Sequence, residues 1–253
     1  MKSASLSCVL VAGVAFSSSA VASDRPETLE ALIERSARIT ITQALPSGGA
    51  ADHAVIEQFA NGDMLVRHGS GGGVPIVLTI CKRATFLNTA PDKAGAAPLA
   101  GNQLRAIRGA QYMGALAGMA MLTGVAGREA ELPAAGASIR TEKTTSWAYG
   151  KERYALEVSR DADGQVRVQA TKIATETTTP ASGPGDLFST DDDRAARLAE
   201  LEPVGTRREM VVSPQARAAE LSATLPLLGW VDASGDTYAS VAEARDGESG
   251  CGK

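Results

Sequence analysis

The sequence predicts an α+β fold in which a twisted antiparallel β-sheet packs against a helix rich in Gly, Ala and Met and against C-terminal helices. Polar and apolar residues alternate in several short segments, as in residues 38–43, which is typical of half-buried strands. Turn residues such as Asn61-Gly62-Asp63 separate these segments. Residues 109–127 carry no charge and are rich in Ala, Met and Leu, which favour helix.

The first 22 residues predict a cleavable signal peptide. Lys2 gives a positive start, residues 6–16 form an apolar run, and Ala20-Val21-Ala22 matches the small-residue pattern that precedes cleavage. The apolar run is shorter than the ~20 residues that a membrane-spanning helix needs. We therefore predict cleavage after Ala22 and a periplasmic or secreted protein in which residues 23–253 form a single domain.

Export would leave two cysteines, Cys81 and Cys251, because Cys8 lies in the signal peptide. Two cysteines in an oxidising compartment predict one disulfide. That bond would tie the Gly-rich tail, residues 247–253, to the body of the protein. The alternative is two unbonded thiols, one in a strand and one at the chain end.

The N-terminal part of the mature chain predicts a helix followed by a meander of strands. Residues 26–36 place Leu29, Leu32 and Ile33 on one helical face. The segments that follow alternate polar and apolar residues or are rich in β-branched residues. The predicted strands are residues 38–43, 53–59, 64–67 and 74–87, the last with a short turn at Lys82-Arg83.

The uncharged segment 109–127 predicts a buried helix or helical hairpin. Gly114 and Gly118 form a G-x-x-x-G pair, which allows close contact between helices. One alternative is an element that contacts a membrane surface or lipid. Another is a membrane span, which Gln111 and Tyr112 disfavour.

A β-hairpin is the clearest prediction in the second half of the chain. Residues 154–158 and 166–170 alternate around the turn Asp161-Ala162-Asp163-Gly164, and the Thr-rich residues 138–149 precede them. Residues 91–101 predict a linker and residues 177–190 a loop. The remaining predicted elements are helices at residues 191–201 and 214–225 and strands at residues 210–212, 227–231 and 238–244.

The overall composition argues against nucleic-acid binding. The 253 residues include 25 Lys and Arg against 29 Asp and Glu, a net charge of −4, and only 4% are aromatic. Nucleic-acid binding depends on clustered positive charge and on aromatic side chains that stack on bases. We expect no nucleic-acid partner.

No motif in the sequence predicts an enzyme, a metal site or a cofactor. His53 and His68 are the only histidines, and the G-x-S-x-G motif of serine hydrolases is absent. The Gly-rich residues 68–73 lack the Lys-Ser/Thr of a phosphate-binding loop. Residues 161–164 resemble the start of a calcium loop, but the later carboxylate is missing, so a turn is predicted. A hydrolase that uses His53 or His68 is the least favoured hypothesis.

The order of elements in the first part of the mature chain is similar to that of a known family. After the N-terminal helix come Ile-Thr-Ile-Thr-Gln (39–43), Ile-Glu-Gln-Phe (56–59), Asp-Met-Leu-Val-Arg (63–67) and Val-Leu-Thr-Ile (77–80). This order resembles the opening of the LolA-type and LppX-type envelope proteins. The resemblance implies a curved, half-barrel-like sheet covered by helices, with an apolar hollow that holds lipid or the acyl chains of a lipoprotein.

The leading functional hypothesis is a non-enzymatic envelope protein that binds a lipid or another apolar ligand between sheet and helices. Segment 109–127 would cover the ligand, since Met side chains adapt to irregular apolar shapes, and it could also contact a membrane. The alternative is a structural or protein-interaction module without a ligand cavity, with an envelope protein or peptide as partner at a sheet edge. The residues predicted to line the apolar site are Met113, Leu116, Met119, Met121, Leu122, Trp147 and Tyr149.

Overall fold

The computed structural model describes residues 27–48, 51–70, 73–82, 84–89, 101–147, 150–177, 202–232 and 235–247. The helices in these ranges are α1 (Leu29–Arg35), α2 (Gly101–Ala126) and α3 (Val241–Gly247). The strands are β1 (Arg38–Ala44), β2 (Asp52–Gln58), β3 (Met64–His68), β4 (Val74–Ile80), β5 (Ala84–Asn88), β6 (Ser138–Trp147), β7 (Gly150–Arg160), β8 (Val166–Thr177), β9 (Arg207–Val212) and β10 (Trp230–Val231).

The described strands form one open antiparallel sheet, in the order β10-β5-β4-β3-β2-β1-β9-β8-β7-β6. Strands β1 to β5 form one meander and β6 to β9 another. Strand β1 joins the two, because it pairs with β2 on one side and with β9 on the other. The α+β class and the antiparallel sheet are therefore confirmed. Within the described residues, β6 and β10 are the edge strands.

Helix α1 begins after Thr28, whose Oγ1 accepts a hydrogen bond from the backbone N–H of Ala31 at 3.3 Å. Leu29 and Leu32 are buried in the core between the helices and the sheet, as their spacing predicts. A helix this short is stabilised mainly by such packing rather than by helix propensity.

Helix α2 crosses one face of the sheet and contacts β1 and β4 to β9. It begins at Gly101, earlier than the predicted start at residue 109. Most of its buried positions are spaced three, four or seven residues apart, so one side of the helix is buried and the other is exposed. The described part of the chain contains no helix that is both long and apolar enough to span a bilayer. The buried positions of α2 are Leu104, Arg108, Ala115, Gly118, Leu122, Val125 and Ala126.

Gly118 lets α2 approach β1 closely, because a Cβ atom at this position would lie 3.0 Å from Ile41 Cγ2. At Gly124, on the exposed side of α2, a Cβ atom would meet nothing within 4 Å.

These two glycines should respond differently to alanine. Gly124→Ala should stabilise the protein by about 0.8–1 kcal/mol, because alanine favours helix. Gly118→Ala should lose this gain and destabilise the protein by up to ~1 kcal/mol, because the new methyl group crowds Ile41. Urea unfolding of both variants measures the difference. Equal stabilisation by the two substitutions would contradict the close helix–sheet contact.

The part of the sheet formed by β3, β4 and β5 is covered on both faces. The core beneath α2 includes Val66 and Val77, and a second core lies on the other side. This double coverage explains why β4 is an almost continuous apolar run. The buried residues of the second core are Leu65, Leu78, Ile80, Ala84, Phe86, Leu221, Leu227, Trp230, Val241 and Ala244.

The helix predicted at residues 214–225 is wrong. The segment is irregular, and its backbone carbonyls accept hydrogen bonds from other parts of the chain. The N–H of Ala37 donates to the carbonyl of Gln215 at 2.7 Å, and the N–H of Ala60 donates to that of Ala218 at 2.8 Å. Tertiary pairing of the backbone here overrides the helix propensity of the alanines.

The strand predicted at residues 238–244 is also wrong, because this region contains helix α3. Ser240 Oγ accepts the N–H of Glu243 at 3.3 Å, and Glu243 Oε2 accepts the N–H of Ala239 at 2.6 Å. The Ser-Val-Ala-Glu sequence thus acts as a variant of the capping box that starts helices.

Several predicted features lie outside the described residues. They are the signal peptide 1–22, residues 91–100 of the linker, residues 178–190 of the loop, the helix 191–201 and the tail 248–253.

Candidate functional site

The residues predicted to line an apolar ligand site do not all lie together. Leu122 is fully buried, and Leu116, Met119 and Met121 pack against the core formed by α2 and the sheet. Met113 is 61% exposed and lies on the opposite side of α2. The side chain of Trp147, at the end of β6, and the whole of Tyr149 lie outside the described residues.

Only a small space remains in the region bounded by the middle of α2 and strands β1, β2, β3 and β9. Its volume is about 20 Å³, which is enough for about one water molecule. An acyl chain does not fit this space in the present conformation. The lining mixes polar and apolar residues, and comprises Ile41, Gln43, Asp52, His53, Ala54, His68, Gln111, Gly114, Ala115, Gly118 and Arg208.

The two histidines lie beside this space, but they have different partners. His68 Nε2 is 2.5 Å from Asp52 Oδ1, whereas His53 Nδ1 is 3.1 Å from Thr42 Oγ1. A triad of the serine-hydrolase type needs hydroxyl, imidazole and carboxylate in one connected chain. Here the hydroxyl contacts one imidazole and the carboxylate contacts the other, so the arrangement gives the hydrolase hypothesis no support.

The described ranges contain no cluster of three or more His, Cys, Asp or Glu side chains that could hold a metal ion. Cys8 and Cys251 both lie outside the described residues, so the pairing of Cys81 with Cys251 stays a prediction.

A buried ionic network centres on Lys172, whose side chain is 0% exposed. Its Nζ donates to Glu152 Oε1 at 2.5 Å and to the backbone carbonyl of Glu202 at 2.6 Å. The Tyr154 hydroxyl donates to Glu152 Oε2 at 2.7 Å, and Arg208 lies 2.9 Å from the Glu202 carboxylate. The network connects β7, β8 and β9 with the chain that precedes β9.

Burial and charge shift the pKa values in this network in opposite directions. Burial raises the pKa of Glu152, but the hydrogen bonds from Lys172 and Tyr154 outweigh it, so this pKa lies below its ordinary value. Burial raises the pKa of Glu202 above its ordinary value, although Arg208 opposes the shift. Burial and the bond to Glu152 also raise the pKa of Tyr154. The charged groups of the network are therefore paired with one another: Glu152 with Lys172, and Glu202 with Arg208.

The sequence analysis did not predict this network, although the alternation of inward- and outward-facing residues along β8 indicates that Lys172 faces the core. Lys172 continues the inward-facing series Val166, Val168 and Ala170 on β8. A lysine at the next inward-facing position either is buried with a partner for its charge or marks the end of the buried part of the strand. The sequence alone does not supply its partner, because Glu152 lies on another strand.

Strand β6 presents a long edge. It pairs with β7 from Ser138↔Ser159 to Trp147↔Gly150, and no described strand pairs with its other side. Its side chains are exposed over residues 138–144. The other edge strand, β10, has only two residues.

The backbone groups of β6 point alternately toward β7 and toward the free edge. The N–H of Arg160 donates to the carbonyl of Ala137 at 3.0 Å, and the register then runs unshifted along β6. Hydrogen-bonded and non-hydrogen-bonded pairs alternate in antiparallel strands. Odd-numbered residues therefore bond β7. The residues that direct their N–H and C=O groups to the free edge are Ser138, Arg140, Glu142, Thr144 and Ser146.

The outer face of β6, β7 and β8, away from α2, carries two open hollows of about 400 and 430 Å³. Arg140 and Glu142 of β6 line the first hollow, and Glu157 of β7 lines both. Arg140 forms an ion pair of 3.2 Å with Glu157. Both hollows therefore adjoin the β6 edge and include charged side chains in their lining.

Comparison with known proteins identifies no family, since no family model, curated protein or solved structure gives a significant match to the chain.

Proposed function

We propose that this protein is a non-enzymatic interaction module of the cell envelope that binds an extended segment of a protein partner at the β6 edge. The observation that carries the proposal is the row of backbone N–H and C=O groups that β6 directs away from β7. The envelope location rests on the predicted signal peptide.

An added strand satisfies such backbone groups directly. In β-strand addition, main-chain hydrogen bonds provide affinity, and pockets for alternate side chains provide specificity. The hollows on the outer face adjoin β6 on the face toward which alternate side chains of an added strand would project. Charged residues on an edge strand discourage unspecific pairing, so Arg140, Glu142 and Lys143 would restrict binding to a complementary partner.

Lipid binding between sheet and helix is the second candidate, supported by the apolar composition of α2 and by the resemblance to envelope carriers. At the middle of α2, beside β1, β2, β3 and β9, it requires the helix to move away from the sheet, because the space there holds about one water molecule. A hollow of about 330 Å³ lies beside Tyr112 of α2, between the helix and strands β3 to β5. The filled core favours the interaction module.

Proline substitutions test the edge without identifying the partner first. Glu142→Pro removes an N–H that points outward, so its melting temperature should stay within a few degrees of the wild type. Lys143→Pro removes an N–H bonded to β7, so it should unfold at a clearly lower temperature. An equal decrease in melting temperature in the two variants would contradict the directions assigned to the backbone N–H groups.

Photo-crosslinking in cells tests the function itself. A crosslinking amino acid at Thr144 should capture an extended segment of a protein, and Glu142→Pro should abolish the capture. The control position is Lys151, an exposed residue on the neighbouring strand β7. Lipid bound at about one per chain in native mass spectra, with no crosslink specific to Thr144, would overturn the proposal and favour the lipid carrier.

A further inference from the structure

We propose that the strand added at this edge is β6 of a second copy, paired antiparallel about a two-fold axis at Thr141. This inference rests on the proposed function and specifies the partner of the same edge. The pairing would join the sheets of two copies into one continuous sheet.

The pleat of the sheet limits the possible registers. In a continuous sheet, directly opposed residues lie on the same face. Residues of β6 that face outward must therefore oppose outward-facing residues of the second copy. Only two-fold axes centred on a residue satisfy this condition, because an axis between two residues would oppose outward and inward side chains.

The charges on β6 favour one of the remaining registers over the others. An axis at Arg140, Glu142 or Lys143 places that residue opposite its own copy, which brings like charges together. An axis at Thr141 instead places Arg140 of each copy opposite Glu142 of the other, so two attractive pairs form. An axis at Thr144 places no charged residue opposite its own copy, but it also forms no pair of opposite charges.

Neighbouring charges extend the complementarity. Within one chain, Glu157 lies 3.2 Å from Arg140, and Arg153 lies 3.6 Å from Glu142. Pairing about Thr141 would arrange these groups as a row of alternating sign across both copies: Glu157 and Arg140 of one, then Glu142 and Arg153 of the other.

The backbone and the inner face fit the same register. Arg140 and Glu142 both direct their N–H and C=O groups to the free edge, so the two residues can form a hydrogen-bonded pair. On the α2 side, Ile139 is 46% exposed. It would lie opposite Lys143 of the second copy, whose alkyl stem can cover it.

The expected dimer is weak and salt-sensitive. The paired region spans residues 138–144 in each copy, fewer than the ~20–30 residues per partner of a standard interface. We therefore expect dissociation on the order of micromolar concentrations, and weaker association at high salt because the ion pairs are exposed.

Charge reversal at the axis tests the proposal by sedimentation equilibrium. Arg140→Glu and Glu142→Arg each turn two attractive pairs into two repulsive ones, so each should weaken dimerisation about tenfold or more. The double variant restores opposite charges and should recover most of the affinity. Arg167→Glu, an outer-face reversal on β8, is the control and should leave dimerisation unchanged.

Cysteine substitution tests the position of the axis. Thr141→Cys should form a disulfide between copies, since opposed Cα atoms at a non-hydrogen-bonded pair lie about 4.5 Å apart. Thr145→Cys on the same face is the control and should not crosslink. Dimerisation that survives both single charge reversals would overturn the register.

The two proposals fail in different ways. A chain that stays monomeric at millimolar concentration, yet captures another protein from Thr144 in cells, would overturn self-pairing and leave the edge function standing. A monomer with no capture specific to Thr144 would overturn both.

Discussion

Replacement of Lys172 by Met should lower the free energy of unfolding by about 3–5 kcal/mol, the range found when one partner of a buried ion pair is removed. Lys172 is fully buried, and its ammonium group contacts the Glu152 carboxylate and the Glu202 carbonyl. Met retains much of the volume but none of the donors. The Glu152 carboxylate would then keep only the Tyr154 hydroxyl as a described partner.

The double variant Lys172→Met/Glu152→Gln separates lost charge pairing from lost packing. It removes the unpaired carboxylate, so it should be more stable than Lys172→Met alone. Lys151→Met, an exposed lysine on β7, is the control and should change stability by less than ~0.5 kcal/mol. Urea unfolding at pH 7 measures all three variants. A loss below ~1 kcal/mol for Lys172→Met would contradict the burial of this ion pair.

Acid should affect the two carboxyl groups of this network in opposite directions. Glu152 has a lowered folded pKa, so its contribution to stability is lost as pH falls through that value. Glu202 has a raised folded pKa, so its protonation favours the folded state, and this effect begins at a higher pH than the loss at Glu152. The two effects oppose each other.

Replacement of Asp63 by Asn should cost about 2–3 kcal/mol at pH 7, because a buried carboxylate that accepts several hydrogen bonds is lost. Asp63 is 1% exposed. It accepts the N–H of Cys81 and the amide of Asn61, both at 2.9 Å, and forms an ion pair with Arg245 of α3. The amide nitrogen of Asn would face these donors instead of accepting from them.

The loss of stability caused by Asp63→Asn should depend on pH. Burial raises the pKa of Asp63, but the Cys81 N–H, Asn61 and Arg245 together lower it below its ordinary value. A lowered folded pKa means that the ionised group contributes stability above the unfolded pKa of ~3.9. This contribution disappears as pH falls through the folded pKa. The stability gap between wild type and Asp63→Asn should therefore narrow below pH ~4.

Urea unfolding at pH 7 and pH 3 measures this gap. Asp163→Asn, an exposed turn residue between β7 and β8, is the control and should match the wild type at both pH values. A gap that is the same at both pH values would show that the loss at Asp63→Asn comes from packing rather than from the carboxylate charge.

Local patterns predicted those elements whose signals lie within a few residues. The alternation of Arg38 to Gln43 and of Tyr154 to Val158 identified β1 and β7, because alternate side chains of a strand face opposite sides. The Asp161–Gly164 turn was predicted from its turn residues, and Gly164 adopts a φ of +83° there. The spacing of Leu29 and Leu32 identified α1.

The candidate site depends on features that local patterns do not contain. The Thr-rich residues of β6 predict a strand, but strand order decides that this strand lies at an edge. Similarly, alternation predicts that Lys172 faces inward, whereas the register between β7 and β8 brings it to Glu152.

By itself, the sequence determined the α+β class, the meander of β1 to β5 and the hairpin of β7 and β8, because the periodicity and turn residues that encode them are local. Only the tertiary structure decided that residues 214–225 are irregular, since their carbonyls accept hydrogen bonds from residues more than a hundred positions away. It likewise decided that the middle of α2 packs closely against β1 and that β6 is left with one side unpaired among the described strands. The packing of α2 and the edge position of β6 both depend on contacts between segments that are far apart in the chain.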